Sequence, residues 1–255
     1  MARIIAICNQ KGGVAKTVTA VNLAVGLARQ QSSASVCLVD MDPQANATSY
    51  MGFTPKDVTK SIYDLLVMRP TMLVETEVRD VLKQAFGISL LPSSIRLAKA
   101  ERGIEMNKER RLSAILPYLE QAIIIIDCPP SLSFHFINAL TAATDLIIPI
   151  EPEPFALEGV AQLIETIKEI QAELNPELNV LGVLPTKVQG STKLHEGVMQ
   201  DISKTFGADM FPYIRKNVDV AESTARKRPI YDYAPNSTGS EDYSVFVSEV
   251  MRRLG

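Results

Sequence analysis

The sequence is poor in cysteine and histidine and has no long apolar run. Its three cysteines, Cys8, Cys37 and Cys128, each lie in or at the end of an apolar segment, with no Cys-x-x-Cys pair and no histidine cluster nearby. That leaves buried free thiols as the expected reading. No stretch approaches the ~20 apolar residues of a membrane span. The N-terminus enters a strand within three residues and lacks the charged and apolar regions of a signal peptide, so the cytoplasm is the expected compartment. Charged residues are 22% of the 255 and the net charge is only −3, which excludes a histone-like nucleic-acid binder and a disordered acidic tail. Any DNA contact must be local.

What is present is a large core. Apolar residues make up 46% of the chain, without a repeat or a low-complexity linker, and one domain over 1–255 is expected. Short β-rich runs at Arg3 to Cys8, Ser35 to Val39, Ile88 to Leu91, Ile123 to Ile126, Leu146 to Ile150 and Val180 to Leu184 alternate with helix-period segments. Those segments include Thr17 to Arg29, Ala156 to Leu174, Leu194 to Phe206 and a final helix from Glu241 to Leu254. The Ile123–Ile126 and Leu146–Ile148 runs do not alternate, as in strands covered on both faces. The pattern predicts an α/β fold, a doubly wound and mostly parallel sheet flanked by helices on both faces. Pro229 to Ser240, rich in Pro, Asn, Ser, Thr and Gly, reads as a surface loop.

The first run leads into Asn9-Gln10-Lys11-Gly12-Gly13-Val14-Ala15-Lys16-Thr17-Val18. A strand, a glycine-bearing turn and Lys-Thr opening a helix aim backbone N–H groups and a helix N-terminus at a phosphate. The usual G-x-x-x-x-G-K-[ST] pattern would put glycine where Gln10 and Ala15 stand. Lys16 suits β- and γ-phosphates, the Thr17 hydroxyl suits one position on Mg²⁺, and Gly12 and Gly13 admit close backbone approach. Asp40 and Asp42 end a second strand and Asp127 a third. In a doubly wound sheet such strand ends open into one crevice, where the three carboxylates can converge on Mg²⁺ and an attacking water. This is the pattern of a nucleotide hydrolase.

With these residues in view, the sequence resembles the ParA/MinD family of ATPases, whose deviant phosphate loop reads K-G-G-x-x-K-[ST] and is matched by Lys11 to Thr17. The resemblance continues through Asp40 to Asn46, Asp127 to Ser131, Ala156 to Gly159 and Pro229 to Pro235. It implies a P-loop fold and a homodimer that sandwiches ATP, with Lys11, Gly12, Gly13, Val14, Ala15, Lys16, Thr17 and Val18 around the nucleotide. Lys11 would reach the phosphates held by the other subunit, Asp42 would orient the water, and Asp40 and Asp127 would hold the Mg²⁺ shell through waters. It further implies slow hydrolysis until a ParB-like or other adaptor stimulates it. Two departures, Ala15 where many members have Gly and Val18 where many have Thr, predict weaker ATP binding rather than its loss.

Lys187, Lys193, Arg215, Lys216, Arg226, Lys227 and Arg228 form local basic clusters suited to phosphate contact without base reading. The resemblance places the family's DNA-contacting surface in this C-terminal third. It implies nonspecific DNA binding in the ATP state, a nucleoid-associated location and the positioning of a plasmid, chromosome or protein assembly. The alternative, a MinD-like membrane-surface ATPase, needs a basic amphipathic terminal helix. Tyr243, Val247, Val250, Met251 and Leu254 could line such a face, but Glu241, Asp242 and Glu249 oppose anionic lipid, so core packing is expected and no membrane partner. Cluster-bridging reductases of the family need two further placed cysteines. No substrate motif for a small-molecule ligase or kinase is present, and with the first strand starting at residue 3 no N-terminal helix-turn-helix extension is expected.

Overall fold

The computed structural model describes residues 2–31, 35–104, 106–189 and 193–255, with side chains from 196 onward in the last segment. Its strands are β1 (Arg3–Ile7), β2 (Val36–Asp40), β3 (Lys83–Ala85), β4 (Ile88–Leu91), β5 (Ile123–Asp127), β6 (Asp145–Ile150) and β7 (Asn179–Pro185). They form one seven-stranded sheet in the order β3-β4-β2-β5-β1-β6-β7. All neighbours are parallel except β3 and β4. The apolar runs put the strands within two residues of expectation. β3 went unread because three half-exposed residues at a sheet edge carry no apolar pattern.

The helices are α1 (Lys16–Gln30), α2 (Asn46–Tyr50), α3 (Ile62–Val67), α4 (Glu75–Val81), α5 (Arg111–Ile115) and α6 (Phe134–Ala142), then α7 (Ala156–Glu173), α8 (Lys193–Phe206), α9 (Val218–Ala225), α10 (Ile230–Tyr233) and α11 (Thr238–Leu254). They cover both faces of the sheet, because alternate strand residues point to opposite sides. In β1, Ile5 and Ile7 join a core with α1, α10 and α11, whereas Ala6 and the following Cys8 join one with α3 to α7. All three cysteines are buried free thiols.

Pro229 to Ser240 is not a surface loop. Ile230 and Tyr231 are buried, the segment forms α10, and α11 starts within it at Thr238. Its polar composition hid two anchors: the Ile230 N–H donates to Asn22 Oδ1 and the Tyr231 hydroxyl to the Asn22 carbonyl. In α11, Tyr243, Phe246, Val247 and Val250 are all buried against α1, so the apolar face of the last helix belongs to the core. No helix among the described residues is long and apolar enough to cross a membrane.

The α1–α11 contact is close because of Gly26, where an added Cβ would sit 2.5 Å from the Tyr231 hydroxyl and 2.7 Å from Val247 Cγ2. Gly26→Ala gains about 1 kcal/mol of helix propensity but overpacks a filled core, so a net loss of about 1–2 kcal/mol is expected in urea unfolding. An unchanged midpoint would mean that this contact yields freely.

Candidate active site

Strand register assembles the site. Ile7 pairs with Asp127, and Asp127 with Asp40, so the ends of β1, β5 and β2 are level and everything after them meets in one crevice. Beyond Ile7 the chain turns under control of Asn9, whose Nδ2 donates to the Pro149 carbonyl at 2.7 Å and whose Oδ1 accepts from the Lys11 N–H at 2.9 Å. The Lys11 carbonyl in turn accepts from Lys16 Nζ at 2.8 Å. The loop is thus folded back on itself around the Lys16 ammonium.

Gly12, Gly13, Ala15, Lys16, Thr17 and Val18 line the resulting cavity of about 1200 Å³, together with Asp42 and, on the far wall, Thr186, Ile214, Lys216 and Asn217. That is large for a single ligand pocket. The Val14 side chain is buried instead, and its carbonyl accepts from the Thr186 hydroxyl, so only its backbone can serve the crevice. Gly13 has φ +80°, which glycine adopts freely. Ala15 sits at φ 63°, ψ 27°, left-handed for a residue with a Cβ, and opens α1 from there. Ala15→Gly is expected to stabilise the protein by about 1 kcal/mol, read as a rise in melting temperature. A fall would show the methyl group to be worth more than the strain.

Asp40 is wholly buried. Its Oδ2 accepts from the Thr48 N–H and hydroxyl at 2.8 and 2.7 Å, and its Oδ1 from the Asp42 N–H at 3.1 Å. Burial pushes its carboxyl up to about 6 against the pull of those hydrogen bonds. Asp42 accepts from the Gln44 N–H through Oδ1, and its carbonyl accepts from the Ser93 hydroxyl. Thr48 and Ser93 were not singled out in the sequence, since a hydroxyl that orients a carboxylate has no motif of its own.

Asp127 is the anomaly: both carboxylate oxygens are buried and neither accepts a hydrogen bond of good geometry, the Thr17 hydroxyl standing beside them as a weakly placed donor. Burial, with the Asp40 charge added, raises its pKa well above the usual range, while the nearby Thr17 hydroxyl and Lys16 ammonium pull the other way. Burial also lowers the Lys16 pKa, against the attraction of Asp127. A buried acid so weakly bonded, behind a hydroxyl and a lysine, is what a divalent cation would satisfy. The Thr17 hydroxyl and the Asp127 carboxylate have the chemistry to face a divalent cation, whereas both Asp40 oxygens are already held by Thr48 and the Asp42 N–H. No three acidic, thiol or imidazole groups among the described residues cluster tightly enough to bind an ion alone. Such an ion would rely on Thr17, phosphate oxygens and waters.

Lys11 lies outside this arrangement. Its ammonium is exposed and paired with Glu153 at 2.6 Å on the loop after β6. Close by in the chain, Glu151 pairs with Lys187 at 2.9 Å. Phe155, 77% exposed with φ 66°, and Leu132, 53% exposed, lie on the loops after β6 and β5.

A family model described as an AAA domain matches residues 2–180. The chain is 40% identical to the sporulation initiation inhibitor protein Soj of Bacillus subtilis, with 98% of each chain covered. The chain belongs to the ParA/MinD family of ATPases. It is also 39% identical to the chromosome partitioning protein ParA of Myxococcus xanthus, over 98% of this chain and 88% of that one. A solved structure of Mycobacterium smegmatis cobyrinic acid a,c-diamide synthase with bound ATP analogue and magnesium superposes with a TM-score of 0.84. It is 32% identical, covering 100% of this chain and 96% of that chain. In this ParA/MinD-family chain the basic candidates divide. Lys187 and Arg215 are engaged, the latter by Asp242 at 3.0 Å from Nε and by Glu241 at 3.0 Å from Nη2. Lys216, Arg226, Lys227 and Arg228 are exposed and outside any ion pair among the described residues. The Lys193 side chain lies outside the described residues.

Proposed function

We propose that this chain is an ATP-dependent dimerising ATPase that binds DNA without sequence preference in its ATP state and positions a cargo, with an adaptor stimulating its slow hydrolysis. The buried Asp127 carboxylate beside Lys16 and Thr17 carries the reading, because a buried acid whose oxygens lack well-formed hydrogen bonds suits a cation's water shell. Bound Mg²⁺ supplies neutralisation of phosphate charge. Lys16 and the loop N–H groups hold the β- and γ-phosphates, Asp42 orients the water, and Thr48 and Ser93 keep the Asp40–Asp42 turn in place. The exposed Lys11 ammonium, held only by the surface pair with Glu153, suits delivery to a second copy of the chain.

Lys216 and Arg226 to Arg228 are the groups left to meet DNA phosphates, and Arg215 serves to brace that surface on α11. Lys216→Ala should weaken binding equally for all sequences and lower the salt slope by about 1. The test of the whole reading is binding to a random-sequence duplex at fixed salt with ATP-Mg²⁺, ADP-Mg²⁺ or no nucleotide. Binding with ATP alone is expected. Equal binding in all three states, or none, would refute the nucleotide-gated switch.

A further inference from the structure

Helix α2 is five residues long and joins two parts of the molecule. At its start is the Asp40–Asp42 turn, held by Thr48 of α2. At its end Tyr50, 1% exposed, brings its hydroxyl to 2.7 Å from Ser223 Oγ on α9 and accepts from Asn22 Nδ2 of α1 at 3.3 Å. Ser223 is fully buried and donates to the Val220 carbonyl, so the Tyr50 hydroxyl donates to Ser223. Asn22 closes the network: its Nδ2 also donates to the Val18 carbonyl at the start of α1, and its Oδ1 accepts from the Ile230 N–H that follows the basic run.

Helix α9 is itself flanked by the exposed basic residues, with Lys216 before it and Arg226 to Arg228 after it. A fully satisfied buried network of this kind fixes the relative placement of the elements it joins. Packing of α9 alone would ask for an apolar contact at 223, and a hydroxyl pair there ties α9 specifically to α2 and α1.

We infer that the Tyr50–Ser223 hydrogen bond is a positioning contact that couples the nucleotide-sensing turn at Asp42 to the basic surface around α9. This rests on the DNA-binding reading above only for its ligand. When the Asp42 turn moves with the γ-phosphate, α2 moves with it, and Ser223 carries that displacement to α9. The partner whose affinity responds is a polyanion, the phosphate backbone of duplex DNA.

Ser223→Ala removes the acceptor and Tyr50→Phe the donor, each with little change of volume. The test measures affinity for a random-sequence duplex with ATP-Mg²⁺ and with ADP-Mg²⁺, and hydrogen exchange over 215–228 in the same two states. Ser223→Ala should keep its ATP affinity and unstimulated turnover, while the ATP-to-ADP ratio of DNA affinity falls by about 5–150-fold, the span of typical coupling factors. Its exchange over 215–228 should become independent of nucleotide, which a merely stabilising contact would not produce. Tyr50→Phe should show the same exchange pattern. Nucleotide-dependent exchange retained in both variants would overturn the coupling. If the unmodified protein binds no DNA in any state but its exchange over 215–228 responds to nucleotide and the variants' does not, the coupling stands and the DNA reading falls.

Discussion

Lys11→Ala is expected to lower adaptor-stimulated turnover by about 10³-fold or more while leaving the affinity of one subunit for ATP nearly unchanged. The first half follows from the size of a cation delivered in trans to a phosphoryl-transfer transition state. The second follows from the loop: Lys11 contributes its carbonyl to Lys16 Nζ and its N–H to Asn9, and alanine retains both. The side chain makes its contact on the rim, with Glu153. Lys16→Ala, in contrast, deletes the ammonium at the centre of the cradle and should abolish nucleotide binding. Equal loss of ATP affinity in the two variants, measured with a fluorescent analogue, would show that Lys11 acts within its own subunit.

Asp127→Asn should separate stability from activity. The carboxylate is wholly buried beside the equally buried Asp40, and the two charges together oppose folding at neutral pH more than Thr17 and Lys16 offset. Removing the charge is expected to stabilise the protein by on the order of 2 kcal/mol, seen as a melting temperature higher by roughly 4–8 °C. The same change should lower Mg²⁺-dependent turnover by about 10–100-fold, because the amide cannot hold the cation's water shell. Destabilisation would mean that the Thr17 hydroxyl and the Lys16 ammonium outweigh the cost of burying the carboxylate.

Much of this site was legible because its signals are local. The Ile123–Ile126 run located β5 and therefore Asp127, and Lys11 to Thr17 located the loop, since phosphate chemistry demands particular residues in fixed order. The conformation of Ala15 was not legible: a lone alanine gives no sign of a left-handed backbone until the turn is built. Nor was the division among the basic residues. Arg215 and Lys216 are neighbours in sequence, yet Asp242 lies 27 residues beyond Arg215 and reaches it through the packing of α11. The polar stretch from Pro229 misled for the same reason, because Ile230 and Tyr231 find their partner in Asn22, more than 200 residues earlier in the chain.

The Lys11–Glu153 pair has a meaning beyond its strength. Between two half-exposed side chains it is worth at most about 1 kcal/mol, so it is no barrier to departure. A free lysine surrenders up to about 2 kcal/mol of rotamer entropy when it is ordered. Paired with Glu153, Lys11 has already lost part of that freedom, and in the proposed dimer its move to the phosphates of a second subunit would exchange one ordered position for another. A weak surface contact would thereby make the proposed encounter of two subunits less costly in entropy than its own small enthalpy would suggest.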